Sequence, residues 1–148
     1  MRNQRGILLL ASCATVLLAT TACSTSANDA EQQAMNACGI VIDEATGQIV
    51  FEGKTPELSD PRDETQVRVD AWKAYSRSAS TAASLDIAYS ALRDASTTVY
   101  NVKGKAVNAV KQFGREDFSQ GFTQSDIDSH NSALSTWEVE CGALADRL

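Results

Sequence analysis

The chain has 148 residues, 43% of them hydrophobic and 22% charged, a composition that supports one globular domain with a core rather than several. One His, two Pro and no long polar repeat exclude a collagen-like, disordered or metal-storage chain. Thirteen basic against nineteen acidic residues leave a net charge of −6, which gives no electrostatic footprint for a nucleic-acid partner.

The opening segment has the layout of an export signal. Arg2 and Arg5 form a positive start, Ile7 to Ala19 an oily run, and Thr20, Thr21 and Ala22 a small-residue approach to Cys23. The run falls short of the roughly twenty apolar residues that cross a bilayer. With Thr20-Thr21-Ala22-Cys23 as its box, the leader resembles that of a bacterial lipoprotein precursor, with Thr20 where the box usually carries Leu. The resemblance implies removal of residues 1–22, lipidation of Cys23 as the new N-terminus, and anchoring of the protein to the extracytoplasmic face of the cell membrane. It covers the leader alone. A second box, Leu10-Ala11-Ser12-Cys13, would leave too short a signal core and strand the oily stretch Ala14 to Ala19 on the mature protein. Ordinary secretion with cleavage after Ala27 is the competing reading, and an uncleaved anchor a third.

If the leader takes Cys13 and the lipid takes Cys23, two cysteines remain, Cys38 and Cys141. In an oxidising compartment such a pair is expected to form a disulfide. Closing a loop of that size stabilises by about 4 kcal/mol in the chain-entropy model. Two free thiols are the alternative, but there is no Cys-x-x-Cys spacing and no neighbouring His.

Residues 23–27 then read as the lipidated Cys and a short tether, reaching about 15 Å if extended, and 28–148 as a single helical domain. Asn28 and Glu31 have the spacing of a capping box, which predicts a short helix over 29–37 ended by Gly39. Ile40 to Ile42 and Ile49 to Phe51 flank a Gly-containing turn and predict a β-hairpin, with a continued helix as the alternative. Residues 53–59 read as a loop. Asp60 as cap and Pro61 at the first helical position predict the next helix start.

From Val69 to Phe113 the apolar positions recur at helical spacing, through Trp72, Tyr75, Ala79, Ala82, Leu85, Tyr89, Leu92, Val99, Val102, Ala106 and Val110. One helix over this stretch and its flanks would approach 75 Å. Two antiparallel helices suit a compact domain better, joined near Arg77 to Thr81 or near Gly104. Residues 114–123 read as a loop pinned by Phe118 and Phe122. Ser125 is the expected cap of a last helix whose seam is Ile127, Leu134, Trp137, Cys141, Leu144 and Leu148. The expected fold is mainly α, a small three- or four-helix bundle with a short β-hairpin.

Charge runs in blocks: a net of −7 over 28–70, +5 over 71–115 and −6 over 116–148. Intramolecular balancing is the economical reading of the basic middle. The functional alternative is a face of Lys103, Lys105, Lys111 and Arg115 that meets anionic lipid or cell-wall polymer. No phosphate loop, nucleophile elbow or His-Glu-x-x-His is present, so no catalytic residue, metal ligand or cofactor is assigned. His130 reads as a solvated residue within reach of Asp126, and Asp126 and Asp128 as helix-dipole compensation rather than a calcium loop. The aromatic stripe of Trp72, Tyr75 and Tyr89, with Trp137, reads as core before ligand groove, and Phe51 as an exposed partner contact. The sequence therefore points to a non-enzymatic lipoprotein whose partners are membrane lipid, through its anchor, and an envelope protein or polymer. The alternatives are a secreted soluble binding or inhibitory protein, and an envelope-directed enzyme using carboxylates as acid and base.

Overall fold

The computed structural model describes residues 14–51, 58 and 60–148, with side chains from Ser26 onward. The positive start of the leader, the Leu10–Cys13 box and, Leu58 apart, the expected loop over 53–59 lie outside the described residues. Among the described residues the protein is a bundle of four α-helices with a two-stranded hairpin, as its sequence pattern led us to expect.

Helix α1 spans Ala14–Cys38, so it starts well before the expected 29–37. Asn28 and Glu31 lie inside it, where a capping box has no free amides to satisfy. The stretch upstream is rich in Ala and Leu, strong helix formers that carry the helix through 24–27. The expected extended tether is therefore helical, advancing about 1.5 Å per residue. Gly39 ends α1 in a left-handed conformation, φ +63°. The left-handed backbone is what calls for glycine, and a Cβ there would also crowd the Tyr75 hydroxyl at 3.2 Å.

Strands β1 (Ile40–Ile42) and β2 (Ile49–Phe51) form the antiparallel hairpin, pairing Ile40 with Phe51, Val41 with Val50 and Ile42 with Ile49. Asp43 organises the turn: its carboxylate accepts the Ala45 and Thr46 amide N–H groups at 2.8 and 3.0 Å. Those N–H groups, Thr46 first, hold its carboxyl below the usual aspartate value.

Asp60 caps as expected, accepting the Arg62 amide at 2.9 Å, but it caps only a single 3-10 turn over Pro61–Asp63. The helix proper, α2, begins five residues past Pro61 and spans Gln66–Leu85, capped by Thr65. Between the two, Glu64 has extended backbone, φ −71° and ψ 138°, which sends its carboxylate toward α3.

The long apolar stripe is indeed two helices, but the joint lies at Asp86, not near Arg77 to Thr81 or Gly104. Asp86 is extended, and its side chain accepts the Ala88 amide at 2.9 Å. A 3-10 turn, Ile87–Tyr89, leads into α3, Ser90–Asp117, which bends at Gly114 (φ 85°). Because that turn is itself helical, Leu85, Tyr89 and Leu92 keep their spacing across the break. A third 3-10 turn, Phe118–Gln120, precedes α4, Gln124–Ala145. Thr123, not Ser125, caps α4: Asp126 at the third helical position accepts the Thr123 backbone N–H at 2.8 Å.

Helix α1 packs on α2, α2 on α3 and α3 on α4. Trp137 is fully buried at the centre, edge-on to Trp72 at 5.1 Å and within 6.1 Å of Tyr75. Its indole N–H donates to the Ala37 carbonyl at 3.1 Å. One turn further along α4, Cys141 forms the expected disulfide with Cys38, the two Cα atoms 5.5 Å apart. The aromatic stripe is core, as its spacing led us to expect. A second cluster of Leu58, Val102, Ala106, Ala109 and Phe122 closes the other end, with Phe113, Phe118 and Ile127 against it.

The Cys38–Cys141 bridge joins residues 103 apart in sequence. Its reduction is expected to lower the unfolding free energy by about 4 kcal/mol, read as a fall in the urea midpoint in dithiothreitol. Coincident oxidised and reduced curves would contradict this.

Candidate functional site

The charge blocks are resolved inside the fold. Lys103 Nζ lies 2.6 Å from Glu64 Oε2, and the two side chains are 3% and 1% exposed. Lys105 donates to both oxygens of Asp126 at 2.8 Å. Lys111 reaches Gln66 at 3.4 Å, and Arg115 donates to the Arg62 carbonyl and to Asp63, each at 3.0 Å. The four cations of the expected basic face thus turn to the segments flanking the basic block, which matches intramolecular balancing. The exposed pair Arg115–Asp63 contributes little in water. The buried pair is different in kind, since either partner alone would be an uncompensated charge in the interior.

Asp126 serves two neighbours. Burial pushes its carboxyl up, but Lys105 and the Thr123 amide and hydroxyl outweigh this and hold it below the ordinary value. It does not pair with His130. Asp128 accepts from Gln124 at 3.0 Å, one helical turn away. Asp60 is held lowest, at about 2, by the Arg62 side chain and backbone N–H. A general acid working at neutral pH needs displacement in the opposite direction. Among the described residues no group of three His, Cys, Asp or Glu side chains is placed to hold a metal ion.

His130 corrects the sequence reading. It is fully buried rather than solvated, because 127, 130, 134 and 137 continue one helical face and His130 fills the gap in the seam. Its Nδ1 lies 2.9 Å from Asn131 Oδ1, which also accepts the Leu58 amide at 3.2 Å. Phe51 is corrected as well: it is half-buried, its ring 6.0 Å from Trp137, and is not free for a partner. Cys23 lies in α1, and its side chain is outside what the structure describes. Among the described residues no helix is long and apolar enough to cross a membrane.

Two surfaces stand out among the described residues. The first is the hairpin. Ile40 and Phe51 face the core, while Val41 (61% exposed), Ile42 (46%), Ile49 (38%) and Val50 (39%) stand in solvent. In this register Val41 sits beside Val50 on one face of the hairpin, and Ile42 beside Ile49 on the other, the face that also carries Ile40 and Phe51. The second is a cleft of about 410 Å³ on the outer side of α3, lined by Tyr100, Asn101, Gly104, Lys105, Asn108, Ala109, Gln112, Phe113 and Gly121. Sequence reasoning missed it, having followed only the apolar stripe. The available signal was the polar one, Asn101, Lys105, Asn108 and Gln112 at steps of four, three and four.

No protein-family model, curated protein or solved structure matches this chain.

Lys103→Met should cost about 3–5 kcal/mol by leaving Glu64 buried and unpaired, whereas Lys103→Met with Glu64→Leu recovers most of the loss. Urea unfolding of both variants checks this. A single variant as stable as the wild type would contradict the buried pairing.

Proposed function

We propose that the protein is a lipoprotein anchored through Cys23 at the extracytoplasmic face of the cell membrane, and that its helical domain is a non-enzymatic module binding another envelope protein. The leader supports the anchor: a positive start, an oily run too short to span a bilayer, and small residues before Cys23. The observation that carries the binding role is the exposed aliphatic hairpin, with Val41 and Val50 on its outer face and Ile42 and Ile49 on the other. Aliphatic side chains exposed on one short hairpin weaken a soluble fold through aggregation, and such exposure commonly marks a contact surface. This surface is also well mounted. The hairpin begins two residues after Cys38, whose disulfide and the Trp137–Ala37 hydrogen bond fix the end of α1.

Fifteen residues of helix separate Cys23 from Cys38, about 22 Å at the helical rise. An anchor at one end of α1 therefore leaves the hairpin free to meet a protein partner instead of lipid headgroups. The strand edges offer backbone N–H and C=O groups to an added strand, and the aliphatic side chains offer the apolar contact.

Radiolabelled palmitate is expected in the wild-type protein and not in Cys23→Ala; equal labelling would contradict the anchor. For the contact surface, a photo-crosslinking residue at Val50 is expected to give one discrete adduct in intact cells, and the same residue at Lys73 none. No adduct from Val50, or the same adduct from both positions, would overturn the hairpin as the binding surface.

A further inference from the structure

We propose that the cleft on the outer side of α3 is a binding site for a neutral saccharide chain. This rests on a different surface from the hairpin and stands or falls separately from it. The cleft is formed where α3 carries Asn101, Lys105, Asn108 and Gln112 along one face, with Tyr100 and Gly104 on one flank and Ala109, Phe113 and Gly121 on the other. Its volume of about 410 Å³ falls in the range of small-molecule sites. Tyr100 to Gln112 spans about 18 Å along the helix, longer than a single sugar ring.

The chemistry of the lining selects the ligand. The side-chain amides of Asn101, Asn108 and Gln112 make no hydrogen bond to other described residues, so three donor–acceptor groups face the cleft unengaged. Each amide offers both a carbonyl acceptor and N–H donors. Vicinal hydroxyls, which both donate and accept, are their natural complement. The single cation, Lys105, is neutralised by Asp126 at 2.8 Å. The cleft thus has no net positive charge with which to hold a phosphate, a sulfate or a nucleic-acid backbone. Tyr100 and Phe113 are both half-buried, each leaving part of its ring surface for the C–H face of a pyranose.

Gly121 keeps the apolar flank closed. A Cβ at that position would fall 2.6 Å from the Phe113 ring, so the ring lies directly against the Gly121 backbone. That flank of the cleft is therefore already packed in the free protein, which limits the ordering cost of binding.

The test applies the purified full chain, in detergent micelles, to a microarray carrying maltotriose, tri-N-acetylchitotriose and a heparin hexasaccharide. Retention is expected on at least one neutral trisaccharide, unchanged between low and high salt. Asn108→Ala with Gln112→Ala should weaken it at least tenfold while leaving the urea midpoint in place, and Lys73→Ala, on α2 away from the cleft, should leave it intact. Failure of both neutral saccharides, retention on heparin alone, or binding that survives the double substitution would each overturn the proposal.

Discussion

The structure depends on one tie between chain ends. Trp137 is buried at the centre of the aromatic cluster, donates to the Ala37 carbonyl, and sits one helical turn before Cys141, which is bonded to Cys38. A buried indole needs a partner for its N–H, and a lost partner leaves a desolvation cost of about 1–3 kcal/mol. Here the partner is a carbonyl in the last turn of α1, where the helix has no acceptor use for it. Hydrogen bond and disulfide therefore fix the same junction, and the hairpin that leaves it inherits a defined direction.

A second constraint organises the opposite end. The net acidity of the chain hides an alternation of sign, and the fold uses it to close the 60–66 segment and the start of α4 onto α3. Only one of these pairs, Lys103 with Glu64, is withdrawn from water. Its influence is on backbone path as much as stability, since Glu64 leaves helical geometry and the α2 start moves from Pro61 to Gln66. A strong local signal, a cap followed by Pro, was overridden by a charge 39 residues away.

Much of the architecture was legible in the residues. Gly39, the β-branched runs around Gly47 and the Ile127 to Leu144 seam state their roles through local chemistry, and the cysteine pair through arithmetic. What failed did so where long-range context decides. The joint at Asp86 was masked because a 3-10 turn preserves the apolar spacing that was being followed. Asn28 had the right residue type for a cap but no helix end to serve. His130 looked solvated by its polarity, yet its position on the seam buried it, and Phe51 looked available until Trp137 was beside it. The α3 cleft was missed because attention to apolar periodicity leaves the polar face unread.

The fold thus presents two outward features, an aliphatic hairpin beside this junction and a polar cleft toward the other end of the bundle. The hairpin loses its fixed orientation if the junction between α1 and α4 is not covalently closed. The most direct measurement is a proteolytic map of the native protein, alkylated before digestion and analysed without reduction. The account requires a single linked peptide pair containing Cys38 and Cys141, and no alkylation at either residue. Free, alkylated thiols at both positions, or a bridge from Cys23 to either one, would contradict it.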